Sequence, residues 1–349
     1  MKILHTADIH LHGDHPRRLE GLRQILALGR DQNIDLLLIA GDLFDDHVQA
    51  ELLRGEVRGL FSNLPYTVLA IPGNHDERAF SRESFYGNDF TSLTTRPFAI
   101  QDFGPWRIVA LPYGDGSFAP LADPLRQAVA PGKKNVLMLH CTWSLPHYTS
   151  QDYGGDDQLR YLPVTEETLT GLGYDYILAG HFHSCYRQRR LPCGALFVYP
   201  GSPVSISSRE EGRRAINLID DQGCRPLILD TWYFQSLNYR LNLRGGASVL
   251  EDLAKEISLH PDDLCNLTVR VDGYIQGSET DFQRGLERIL ANRTNTVLEP
   301  NYRSARQIFS DPLYQRIRQH LEQEENEEDK ALMEMMLLDA FSQLLAEGK

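Results

Sequence analysis

The chain has 349 residues, 42% of them hydrophobic and 24% charged, which is the composition of an ordinary globular protein with length for about two domains. A formal charge of −13 argues against a broad basic surface for nonspecific nucleic-acid binding, although bound cations would offset part of it and local basic patches remain open. No apolar run approaches the roughly 20 residues of a membrane span; no leader-like stretch precedes a motif at residue 8, and Cys141, Cys185, Cys193, Cys224 and Cys265, with no C-x-x-C pair, read as reduced thiols of a cytoplasmic protein.

From residue 1 to about 183, short apolar runs alternate with helix-like segments. Lys2–Ala7 predicts a strand, ended by Asp8-Ile9-His10, and Pro16–Arg30 a helix. Asp35–Ala40 predicts the next strand, followed by Gly41-Asp42-Leu43-Phe44-Asp45 and a helix over Gln49–Ser62. Thr67–Ile71 is a third strand, leading into Gly73-Asn74-His75-Asp76. Arg107–Leu111, a helix at Leu121–Val129, and Asn135–Leu139 ending in His140 come next. A helix at Thr165–Leu172 and a strand at Tyr176–Ala179, closed by Gly180-His181-Phe182-His183, complete the series. Most of these strands are rich in Val, Ile and Leu with little polar alternation, as strands covered on both faces are. The alternation predicts a layered α/β architecture.

Residues 186–234 carry short runs at Ala195–Tyr199, Ala215–Ile219 and Pro226–Thr231 between turn residues, a strand-rich second half of the same domain. After about 235 the pattern restarts: strands at Leu237–Leu243, Leu267–Gly273 and Thr296–Glu299, helices at Ser248–Ile257 and Asp281–Ala291. That is a small α+β module. Ser304–Glu322 and Lys330–Leu345 predict two helices joined by the acidic run Glu322–Asp329. The last helix is apolar around most of its circumference and must be covered, by its own protein or by a partner.

Five strands of the first half thus end in metal-ligand residue types. Functional groups gather at the carboxyl ends of strands in α/β sheets, so five clusters in five such places weigh more than any one of them. Displacement at phosphorus is served by two divalent cations about 3.5–4 Å apart, which clamp the phosphate and activate water. Carboxylates offset cationic charge, one of them bridging, while neutral imidazoles add ligation without repelling an anion. Mixed oxygen and nitrogen donors suit Mn, Fe or Zn better than Ca. Glycines 41, 73 and 180 are read as allowing sharp turns and close backbone approach to an anionic ligand.

In order, D-x-H, G-D-x-x-D, G-N-H-D, a lone His and G-H-x-H resemble the calcineurin-like metallophosphoesterase superfamily, over residues 1 to about 205. The resemblance implies a four-layer α/β/β/α sandwich with a dinuclear centre. In it Asp8, His10 and His183 hold one metal, Asn74, His140 and His181 the other, and Asp42 bridges them. It implies for His75 a catalytic role on the substrate, steadying charge or protonating the leaving group. The segments A-D-I-H-L, I-A-G-D-L-F-D, P-G-N-H-D, A-G-H-F-H and V-Y-P-G-S-P (198–203) are similar to the SbcD branch of DNA-repair nucleases. That branch implies a nuclease domain over 1–234, a capping module over 235–303 and a helical tail over 304–349 that docks on an SMC-like coiled-coil ATPase of SbcC type. It further implies Mn²⁺ as the cofactor, DNA as the substrate and homodimers in some relatives. Asp45 departs from relatives that carry His there and act as exonucleases, which leaves the cleavage mode open. A phosphoesterase acting on a nucleotide, lipid head group or phosphoprotein is the alternative, and a scaffold that has lost catalysis is a third reading that the intact ligand set disfavours.

Blander readings stand beside these. Asp45 and Asp76 are expected to support a loop or orient a histidine more than to bind metal. His5, His12 and His15 are expected on a strand face or exposed. Arg187, Arg189, Arg190, Arg209, Arg213 and Arg214 are candidate phosphate contacts, against ordinary surface arginines. P-loop, H-E-x-x-H and G-x-S-x-G motifs are absent.

Overall fold

The protein, in a computed structural model, is described over residues 1–81, 84–114, 116–143, 149–153, 161–241, 248–275, 277–322 and 326–347. Its chain forms two compact units, Met1–Gln235 and Ser236–Lys349. The first contains β1 (Ile3–Thr6), α1 (Pro16–Asp31), β2 (Leu36–Ala40), α2 (His47–Leu60), β3 (Thr67–Ile71), β4 (Phe90–Ser92), β5 (Ala99–Phe103), β6 (Trp106–Leu111) and α3 (Ala119–Gln127). It continues through β7 (Lys134–His140), α4 (Glu166–Thr170), β8 (Tyr176–Gly180), β9 (Arg187–Arg190), β10 (Leu196–Tyr199), β11 (Ala215–Asp220), β12 (Gly223–Ile228) and the start of β13 (Tyr233–Leu241).

Two six-stranded sheets result, ordered β12-β11-β1-β2-β3-β4 and β5-β6-β7-β8-β10-β9. Strands β1 to β4 run parallel, as do β6, β7, β8 and β10, with antiparallel strands at the margins. Ile3, Leu36, Leu38 and Leu69 of the first sheet pack on Ile108, Val136, Met138 and Leu178 of the second. The opposite face of the first sheet (Leu4, Leu37, Ile39, Val68) is covered by Leu22, Ile25 and Leu26 of α1 and Val57 of α2. That of the second (Val109, Leu137, Leu139, Ile177) is covered by Leu125 of α3 and Leu169 of α4. Both faces of each sheet are therefore buried, which is why these strands read as unbroken apolar runs. This is the layered α/β/β/α arrangement expected, and each fully buried Leu contributes roughly 2 kcal/mol to it.

The second unit holds the remainder of β13, α5 (Ser248–Ser258), β14 (Cys265–Ile275), α6 (Glu279–Leu290), β15 (Thr296–Ser304), α7 (Arg306–Ser310), α8 (Pro312–Leu321) and α9 (Glu327–Glu347). Its sheet is ordered β13-β14-β15 with β14 and β15 parallel. Tyr314, Ile308, Leu338 and Phe341 form a separate small core. Helix α9 buries Leu338 and Phe341 yet leaves Leu332 and Met336 exposed. No helix among the described residues is long and apolar enough to cross a membrane.

Three expectations need correction. The helix read over Ser304–Glu322 is two, because Asp311 is extended and caps α8, accepting from Leu313 N at 2.8 Å, while Pro312 supplies no donor to continue α7. The strand read at Pro226–Thr231 starts earlier, at Gly223, whose φ of +115° closes a tight hairpin from Asp220. Strands β4, β5 and β9 were not anticipated; they are short, polar margin strands such as Arg187–Arg190, exposed throughout. Residues 323–325 of the acidic run lie outside the described residues.

Candidate metal centre

The five ligand-bearing loops leave the carboxyl ends of β1, β2, β3, β7 and β8, and parallel register brings those ends to one rim. The β1 and β2 loops are laced together by main chain: Asp8 N donates to Gly41 O at 3.1 Å and His10 N to Asp42 O at 3.0 Å. Seven non-glycine residues among those described have positive φ, and four of them are Asp8, His10, Asp42 and His181. Such conformations cost roughly 1–3 kcal/mol each and survive where surrounding structure enforces them. Here they turn side chains of successive loops toward a common point.

Asp8, His10, Asp42 and His183 each offer a ligand atom within 4.8 Å of the others, and Asp42, His140 and His181 do the same on the other side; all six are buried. Asp42 belongs to both groups. Its Oδ1 accepts the main-chain N–H of His75 at 3.0 Å. Its Oδ2 has no hydrogen-bond partner and lies 3.2 Å from His140 Nε2 and 3.7 Å from His10 Nε2, between the two sets. Asn74 joins the second set, its Oδ1 standing 2.9 Å from His140 Nε2. His10 and His183 turn Nε2 atoms toward each other at 3.2 Å. The seven residues read as ligands from the sequence thus lie together, Asn74 through its contact with His140.

His75 belongs to neither group. It is exposed, its ring lies edge-on to that of His10 with centroids 4.7 Å apart, and its Nδ1 is 3.2 Å from Asp45 O. It borders the centre from the solvent side. Asp76 stands outside both groups: its carboxylate accepts Gly73 N at 2.8 Å and Phe44 N at 3.1 Å, tying the β2 and β3 loops together. Burial, then the nearby Asp42 charge, raises its pKa to about 7.

The chemistry of the donor set fits divalent cations. Buried imidazole atoms of His181 and Asp42 Oδ2 have no hydrogen-bond partner, a costly condition that a cation relieves. Burial alone would raise the Asp42 carboxyl, but the His140 imidazole beside it prevails and holds it well below the usual range. Reciprocally, burial opposes protonation of His140 while Asp42 lifts it to about 9. Burial keeps His181 and His10 neutral, the state in which imidazole binds metal.

The glycine reading changes in its cause. A Cβ at Gly41 would sit on the His140 ring, one at Gly73 on the Asp42 carboxylate, and one at Gly180 on Ala40 O and the same ring. The close approach these glycines permit in the folded chain is to His140, Asp42 and the Ala40 carbonyl. Among the candidate phosphate contacts, Arg214 is buried, donating to main-chain oxygens of Ser202 and Ser184 at 2.8 Å, so it is an internal brace. Arg213 pairs with Asp230, and Arg189 with Glu166. His5 is fully buried, not exposed, and sits on β1 with neither nitrogen bonded. Glu210, which the sequence reading missed, points at His183 across 3.8 Å; its position seven residues past the P-G-S-P segment was the available signal.

A profile of the calcineurin-like phosphoesterase family matches residues 1–185, more than half the chain. The uncharacterized metallophosphoesterase YhaO of Bacillus subtilis is 24% identical over 239 residues, 63% of this chain and 57% of that protein, so the chain spans less than two thirds of this relative's length. Among solved structures, a dimetal phosphatase of Danio rerio aligns at 14% identity, over 62% of this chain and 91% of that one, with a TM-score of 0.44. The purple acid phosphatase PPD1 of yellow lupin (Lupinus luteus) aligns at 14% identity, over 62% and 49%, with a TM-score of 0.41. Neither likeness bears on the substrate.

Proposed function

The chain belongs to the calcineurin-like phosphoesterase family, and from that premise we propose that it is a Mn²⁺-dependent DNA nuclease with a dinuclear centre. The observation that carries the metal-dependent hydrolase is Asp42: one oxygen pinned by main chain, the other without a hydrogen bond and placed between two buried histidine sets. In this reading Asp8, His10 and His183 hold one cation and Asn74, His140 and His181 the other. Bound there, the pair supplies Lewis acidity at a phosphoryl oxygen and a water acidified toward neutral pH.

The chain's own residues do the rest. Asp42 fixes the spacing of the halves and keeps its charge at neutral pH. The enforced backbone at Asp8, His10, Asp42 and His181 presents the donors without reorganisation. His75, on the solvent side and tethered through Nδ1, is placed to protonate the leaving oxygen or steady charge on phosphorus.

DNA as substrate is supported by the match of five segments around the centre to the SbcD branch and by a further α+β unit following the hydrolase unit. We assign the cap to 235–303 and the tail to 304–349, with α9, whose Leu332 and Met336 are uncovered, as the surface for a coiled-coil ATPase. Five scattered cysteines with no C-x-x-C pair fit work in the reducing cytoplasm. Purified protein with Mn²⁺ is expected to cleave both bis-p-nitrophenyl phosphate and single-stranded DNA. Hydrolysis of the small diester with DNA untouched, even with the ATPase added, would leave a phosphoesterase for another substrate. Loss of ATPase co-purification on deleting 304–349, with diester hydrolysis kept, is the expected result for the tail.

A further inference from the structure

The two halves of the centre differ in what stands behind their imidazoles. In one half, His10 Nδ1 lies 3.2 Å from Asp45 Oδ1, and Arg18 spans the pair, donating to Asp45 at 3.1 Å and to His10 O at 2.8 Å. His183 repeats the pattern: its Nδ1 has no hydrogen bond and faces Glu210 Oε1 at 3.8 Å, while Arg214 donates to His183 O. Glu210 is itself held, accepting Ser202 Oγ at 2.6 Å and Ile206 N at 2.9 Å through Oε2. In the other half, among the described residues, the carboxylate nearest an Nδ1 is Asp8, itself part of the centre and 4.0 Å from His140, and none stands behind an imidazole from outside the centre. His140 Nδ1 meets the main-chain oxygen of Ala40 at 2.9 Å, and His181 is walled by the rings of Tyr153 and Tyr161 with neither nitrogen bonded.

A carboxylate behind Nδ1 fixes the proton there, aims the Nε2 lone pair at the cation and strengthens it as a donor; losing such a partner typically costs 10–100-fold in metal affinity. Shortening the Glu210 gap by about half an ångström makes it a hydrogen bond. We propose that Glu210 is a positioning residue for His183, the counterpart of Asp45 at His10, and that the Asp8/His10/His183 half binds its divalent ion at least about ten-fold more tightly than the Asn74/His140/His181 half. This rests on reading the centre as dinuclear.

Cobalt(II) titration of the full-length protein, followed by visible absorption and calorimetry, tests it. Two resolved binding steps are expected. E210Q is expected to weaken the first step by roughly 10–100-fold and shift its absorption band, while the second step stays within about two-fold; E210D restores part of the loss. D45N, at a part-exposed carboxylate, should weaken the same step and serves if E210Q does not fold. Two steps of equal affinity, or an unchanged first step in both E210Q and D45N, would overturn the inference and leave a dinuclear centre standing. No cobalt uptake at all would overturn the centre as well.

Discussion

The two units of this chain are both mixtures of helix and sheet, yet only the first has turned its strand ends into chemistry. In the first, parallel strands deliver Asp8, Asp42, Asn74, His140 and His181 to one rim, and five histidines are buried. In the second, β14 and β15 are also parallel, but its histidines, His260 and His320, are not buried, and among the described residues every candidate ligand cluster falls in the first unit. Architecture of a similar kind is therefore not what makes a site. What separates the units is a run of enforced backbone conformations that converge donors which packing alone would keep apart.

The sharpest way to break that contrast is at its centre. Asp42→Ala is expected to lower diester hydrolysis by on the order of 10⁴-fold or more and to abolish stoichiometric metal uptake, read by steady-state rates and metal analysis. A variant that still binds two ions would show that convergence does not depend on the shared carboxylate. His75→Ala should lower kcat by about 10²–10⁴-fold with metal content intact; equal turnover would remove His75 from the reaction.

Stability extends the contrast. Leu38→Ala, between the two sheets, should cost roughly 2–5 kcal/mol in chemical denaturation, whereas Met336→Ala on the exposed side of α9 should stay within about 0.5 kcal/mol. A large effect at Met336 would mean that α9 is covered by something, a second copy included.

Acid separates the units more gently. Burial depresses the pKa of His5 to about 3 from 6.5, so the unfolded chain takes up a proton there that the folded chain refuses. Its stabilising effect is complete above pH 6.5 and is lost as pH falls toward 3, a slope worth a few kcal/mol at most, on the order of 1.4 per pH unit. His5→Leu should flatten that slope in urea denaturation midpoints taken between pH 6.5 and 4. An unchanged slope would place the acid sensitivity elsewhere.

Much of the rim was legible beforehand because strand periodicity and ligand chemistry are both local signals. Asp8, Asp42 and His140 each terminate an apolar run, and reading the run located the residue. The conformations that aim them were not legible: nothing about an Asp or His announces a φ near +50°. Nor was the fate of Arg214, which looked like a surface arginine beside Arg213 until the fold turned it inward under His183. Glu210 was missed for the same reason, since its partner lies 27 positions earlier in the chain and only tertiary packing joins them. Polar margin strands such as β9 escaped because a short run exposed on both faces resembles a loop.

The glycines behind the ligands carry a consequence for reading variants. At positions 41, 73 and 180 the space that a side chain would claim already belongs to His140, Asp42 or the Ala40 carbonyl. One added methyl there displaces a donor as surely as deleting it does, though alanine brings no charge and removes no ligand. A comparison that scored only the seven side chains would pass over such a protein, in which a single carbon atom had already forced His140 or Asp42 to move.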